Sequence, residues 1–131
     1  MKKVHIVIGI ILNSKKDQVF ITTRMDRSDF AGLLEFAGGK IEQGETQEQA
    51  LRRELQEEVN IIAQKMEHFM HFEHKYPEKE LTFDAYIVSD FSGKACGHEG
   101  QKGEWLTIAD LDPKQFPAAN LALIEKLKAW A

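Results

Sequence analysis

The sequence predicts an α+β fold, a mixed sheet with helices packed outside it. Three observations point there: Val- and Ile-rich runs bounded by turn residues, one strongly amphipathic helical stretch in mid-chain, and hairpin-like strand spacing in place of regular strand-helix alternation. The 131 residues are 43% hydrophobic and 29% charged, enough apolar material for one core, so a single domain over 1–131 is expected and a disordered chain is excluded.

Val4 to Leu12 reads as the first strand. No small-residue cleavage site follows Met1-Lys2-Lys3 and its apolar run, so a targeting segment is not expected. Asn13 to Asp17 supplies turn chemistry, and Val19 to Thr23 is expected to pair back as a second strand. Thr46 to Val59 is the clearest helix: Thr46 and Gln49 form a capping-box pattern, and Leu51, Leu55 and Val59 recur at i, i+4, i+8. Met66 to His74 and Leu81 to Val88 read as a hairpin around Lys75 to Lys79, where Pro77 cannot donate to a ladder. A glycine-rich loop from Gly93 to Gly103 leads to a short apolar piece, Glu104 to Ile108, and a last helix is expected from Asn120 to Trp130.

Lys+Arg number 17 against 21 Asp+Glu, a net charge of −4, so no positive field exists to hold polymeric nucleic acid. No run approaches the ~18 apolar residues that span a bilayer. A single cysteine, Cys96, cannot form an internal disulfide, which suits a reducing, cytoplasmic setting, and a monomer is expected.

On a helical wheel with Leu51 at zero, Glu58 falls near about −20°, Glu54 near about −60° and Glu57 near about −120°, one acidic sector beside the buried stripe. Taken alone, that sector reads as a solvated face or as a cation site that relieves crowded like charge. The surrounding residues weigh against the first. From Gly39 through Glu45 to Arg53-Glu54-Leu55-Gln56-Glu57-Glu58-Val59-Asn60-Ile61, the segment reads G-x5-E-x7-R-E-U-x-E-E-x-N-U, U being aliphatic. It resembles the Nudix box, the signature of hydrolases acting on a nucleoside diphosphate linked to another group. A chance match has a probability on the order of 10^-6.

The resemblance implies a Nudix-type α/β/α sandwich with a mixed β-sheet. It also implies that Glu54, Glu57, Glu58 and Arg53 are catalytic, with Glu99 as a loop carboxylate completing the metal site, and that Arg53 and Glu45 brace the loop against the helix. Glu54, Glu57, Glu58, Glu99 and the Gly38 carbonyl would hold Mg2+, for which Mn2+ can substitute. Hard cations with oxygen ligands suit phosphoanhydride hydrolysis because they neutralise the polyphosphate and help aim a water at phosphorus. Asn60 stands where the signature has glycine, at a helix end that asparagine tolerates in the left-handed conformation.

Similarity extends beyond the box to the MutT-type 8-oxo-dGTP diphosphatases, enzymes that sanitise the nucleotide pool. It is carried by Met1-Lys2-Lys3, Leu34-Glu35-Phe36, Glu99-Gly100-Gln101, Gly103-Glu104-Trp105 and Phe116-Pro117-Ala118-Ala119-Asn120. The similarity implies a nucleoside triphosphate site lined by Arg24, Glu35, Phe36, Ala37, Gly38 and Asn120, with Asp29 and Lys79 as further substrate-binding candidates where the MutT type can carry a histidine and an arginine. Asn120 would hydrogen-bond the oxidised guanine edge with the donor and acceptor of its amide; without the resemblance it reads as the N-cap of the last helix. Gly38-Gly39 would let backbone approach metal and phosphate, and otherwise reads as a tight turn. Ala37 replaces a proline common in the closest relatives, and Ala31 to Gly39 also resembles Nudix enzymes preferring pyrimidine nucleotides such as CTP. A CTP- or dCTP-directed pyrophosphohydrolase is therefore an alternative, and a non-catalytic nucleotide-binding Nudix module a second, disfavoured because every box carboxylate is present.

Other constellations carry less. In a regular strand His71 points opposite to His68 and His74, so the three are not expected to converge on zinc. Gly39-Lys40 lacks the Walker-loop spacing, Cys96 has no defined catalytic partner, and Trp105 and Trp130 read as packing residues.

Overall fold

The computed structural model describes residues 2–23, 32–97 and 102–131. Six strands, β1 (Lys2–Ile11), β2 (Gln18–Thr23), β3 (Leu34–Lys40), β4 (Ile62–Lys75), β5 (Lys79–Ser92) and β6 (Lys102–Thr107), form one sheet in the order β4-β5-β1-β3-β2-β6. β1 and β5 run parallel, with Lys2 opposite Lys79 and Ile11 opposite Val88, and the other pairs are antiparallel, so the sheet is mixed.

Strand alternation sorts the apolar residues into two layers. Ile8, Ile10, Leu12, Ile21, Phe36 and Phe83 face α2 (Leu121–Trp130), whose Leu123, Ile124 and Leu127 are fully buried among them. Val7, Ile11, Phe20, Ala37 and Val88 face α1 (Gln47–Val59), which contributes Ala50, Leu51, Leu55 and Val59. The α+β sandwich expected from the sequence is present, and its mid-chain helix has the expected stripe and a complete Thr46/Gln49 capping box.

Three expectations change. β1 and β2 are not a hairpin pair: β3 lies between them, and among the described residues an isolated bridge, Leu12 to Val19, closes the turn that connects them. β3 itself was not expected, because Gly38 and Gly39 sit within it and glycine is depleted in strands. They do not form a tight turn. β4 is longer than expected and irregular. Between His68 (opposite Tyr86) and Met70 (opposite Ala85) its register shifts, leaving Phe69 as the extra residue. His68 and His71 therefore share a face, contrary to strict alternation.

Candidate active site

The end of β3 brings the sheet's two faces together in one cleft of about 700 Å3. Its floor is apolar, built from Val4, Ile6 and Ile8 of β1 and Leu81 and Phe83 of β5. Phe36 closes one side, its ring stacked on Phe116 at 5.4 Å between centroids. Asn120 and Ala119 line the same cleft, as do Glu54, Glu57 and Glu58 of α1.

Backbone geometry sets the meeting of β3 with α1. Gly38 has φ +150, and a Cβ there would lie 2.0 Å from the Val7 carbonyl oxygen. At Gly39 a Cβ would lie 2.4 Å from the Glu54 carboxyl carbon, so only glycine lets that carboxylate lie against the strand. The Gly38 N–H donates to Glu58 Oε2 at 3.3 Å.

Arg53 organises the acidic sector. Its guanidinium grips Glu45 in a bidentate pair, Nε to Oε2 at 2.8 Å and Nη2 to Oε1 at 3.0 Å, and Nη2 also donates to the Lys40 carbonyl at 3.1 Å. Nη1 donates to Glu54 Oε1 at 2.9 Å and to Glu57 Oε2 at 3.5 Å. The Arg53 hydrogen bond pulls the Glu45 carboxyl down to about 2, helped by the Glu42 backbone. Glu54 moves the other way: burial pushes its carboxyl above the ordinary 4.5 against the pull of Arg53, and the nearby charges of Glu57 and Glu42 add to the rise.

These residues fit a divalent cation by their chemistry. They are hard oxygen donors on a strand end and one helix face, one of them already penalised for its charge. Among the described residues no three His, Cys, Asp or Glu side chains form a ready-made cage, and in this arrangement Arg53 engages both Glu54 and Glu57.

Of the residues expected at the nucleotide site, Glu35, Phe36, Gly38, Lys79 and Asn120 line the cleft. Ala37 does not: its side chain is fully buried in the layer facing α1, because it is one residue out of phase with Phe36. Arg24, Asp29 and Glu99 lie outside the described residues. Asn120 is 8% exposed and occupies the N-cap position of α2, but its side chain makes no cap bond there. Sequence reasoning missed Tyr76, Lys2 and the even-numbered residues of β1 as cleft lining. The parity of β1 was the available signal, since Val4, Ile6 and Ile8 share one face.

The NUDIX domain model matches residues 7–126. The chain is 45% identical over 128 residues to the 8-oxo-dGTP diphosphatase of Escherichia coli K12, covering 98% of each chain. It is 44% identical to the one of Haemophilus influenzae, covering 96% of this chain and 92% of that protein. A solved structure from work on MutT of Aliivibrio salmonicida and Vibrio cholerae superposes with a TM-score of 0.88 at 43% identity, covering 99% of this chain and 100% of that one. A less similar relative, the CTP pyrophosphohydrolase of E. coli K12, is 34% identical over 98% of this chain and 94% of its own length. Nudix hydrolases generally depend on a divalent metal, and the box, the fold and these relatives agree: the chain belongs to the Nudix hydrolase family.

Proposed function

We infer that this enzyme hydrolyses 8-oxo-dGTP to 8-oxo-dGMP and pyrophosphate with Mg2+, Mn2+ serving in its place, and so cleanses the nucleotide pool. The observation that carries the reading is that one cleft is lined by apolar residues, by the buried Asn120 and by Glu54, Glu57 and Glu58. Identity to two 8-oxo-dGTP diphosphatases at 44% and 45%, against 34% for the CTP enzyme, favours the oxidised purine over the pyrimidine alternative.

Each part has a role in this account. Phe36 and the β1 floor take the planar base, and Asn120 offers a donor and an acceptor to its edge. Glu54, Glu57, Glu58 and the Gly38 carbonyl, joined by Glu99, would hold the cation, which supplies charge neutralisation of the polyphosphate and lowers the cost of a nucleophilic water. Arg53 holds Glu54 and Glu57 while its pair with Glu45 pins the loop before α1. Lys79 lines the same cleft, and the family resemblance adds Arg24 and Asp29 as substrate-binding candidates. We further propose that residues 1–131 act as one monomeric domain in the cytoplasm; no helix of the described residues is long and apolar enough to cross a membrane.

The test is product chemistry. Formation of 8-oxo-dGMP and pyrophosphate supports the reading, and no turnover, or other products, would refute it. In 18O-labelled water, attack at the β-phosphorus places the label in pyrophosphate, whereas label in 8-oxo-dGMP would show attack at the α-phosphorus instead.

A further inference from the structure

On the sheet face toward α1, away from the cleft, one buried carboxylate holds three imidazoles. Asp84 of β5 is 2% exposed. Its Oδ2 meets His5 Nε2 of β1 at 2.6 Å, and its Oδ1 meets both His68 Nε2 at 2.7 Å and His71 Nδ1 at 2.9 Å, the last two from β4. The register shift at Phe69 makes this possible by turning His68 and His71 to one side. An ionised carboxylate only accepts, so each contacting nitrogen donates, which a neutral imidazole can do in the right tautomer. Tyr86 stands next on this face, its ring edge-on to His68 at 5.1 Å and its hydroxyl donating to Gln47 of α1 at 2.5 Å, with Glu48 of α1 also acting electrostatically on it.

We propose that His5, His68, His71 and Asp84 form a proton-sensitive latch on edge strand β4, and through β4 on the rim of the nucleotide cleft. The proposal rests on the functional reading above for its effect on substrate, but not for the latch itself. Imidazoles change charge between about pH 8 and 5. A single imidazolium offsets the one buried negative charge. A second and third leave the cluster with excess positive charge, and two of them share the single oxygen Oδ1. Both of those belong to β4, which among the described residues lies at the sheet edge and pairs only with β5. His71 is the most exposed of the three, with 53% of its side chain accessible, so it can leave for water at least cost. The β4-β5 connection carries Tyr76, and β5 begins at Lys79, both lining the cleft, so loosening β4 loosens that rim.

The direct test is hydrogen exchange on the intact chain without nucleotide, at about pH 7.5 and about pH 5.5, corrected for intrinsic rates. Residues 66–72 of β4 should lose protection at least about tenfold more than β1 on acidification. His71→Gln keeps a donor but cannot charge, so it should remove most of that response. KM for 8-oxo-dGTP should then rise more steeply with acidification in the parent than in His71→Gln, with kcat following the same pH course in both. Equal protection at the two pH values, an unchanged response in His71→Gln, or a response in exchange without one in KM would overturn the proposal. If the chain failed to hydrolyse 8-oxo-dGTP, the functional reading would fall while the exchange data still judged the latch.

Discussion

Under the proposed function, Asn120 is the residue that reads the base. Oxidation changes guanine only at C8 and N7, adding a carbonyl oxygen and an N–H, and apolar fit discriminates weakly between such similar bases. A buried amide left unpaired by the wrong base costs far more. Asn120→Ala should therefore lower kcat/KM for 8-oxo-dGTP far more than for dGTP, as read from steady-state rates on both. Equal losses would reduce Asn120 to a general lining residue. Glu54→Gln keeps the shape of the side chain and removes its charge, so kcat should fall by at least ~10^2 with an unchanged circular dichroism spectrum. Glu54 stands out as a candidate in the sequence because the box spacing is strict, whereas Asn120 lies outside the box and is proposed from the wider resemblance alone. Ala37 was misplaced because resemblance supplies a position in sequence, whereas strand parity decides which layer the side chain enters.

At the scale of the element, α1 is held at both ends by devices the sequence displayed. Asn60 closes it in the left-handed conformation, φ 62 and ψ 36. Asn60→Ala should cost about 1 kcal/mol in denaturant unfolding, whereas Asn60→Gly should be neutral or slightly stabilising, with kcat unchanged in both. The loop before α1 depends on Glu45, whose carboxyl lies at about 2 in the folded chain against 4.5 for the free group. A lowered carboxylate contributes stability that is complete above 4.5 and disappears as the pH falls toward 2. The stability gap between the parent and Glu45→Gln should thus shrink over that window, a trend visible in unfolding midpoints at a series of pH values. Local signals made α1 plain in the sequence, since a capping box and a period of 3.6 lie within one segment. β3 was hidden for the opposite reason. Its glycines argue against a strand locally, and only the long-range requirement to sit between β1 and β2 while admitting Glu54 explains them.

Across the whole molecule, the sheet order is what turns separate signals into a site. Placing β3 beside β1 lets the carboxylates of one layer meet the apolar slot of the other, a juxtaposition that no segment of the sequence contains by itself. Activity should vanish on exhaustive chelation and return with Mg2+ or Mn2+, because Glu54, Glu57 and Glu58 then face the polyphosphate without neutralisation. Selectivity tests the complete arrangement, since it needs the base slot and the carboxylate end to act on one molecule. The most direct measurement is kcat/KM over 8-oxo-dGTP, dGTP, CTP and dCTP under identical Mg2+ conditions. 8-oxo-dGTP should be preferred by several powers of ten. A preference for CTP or dCTP would contradict it.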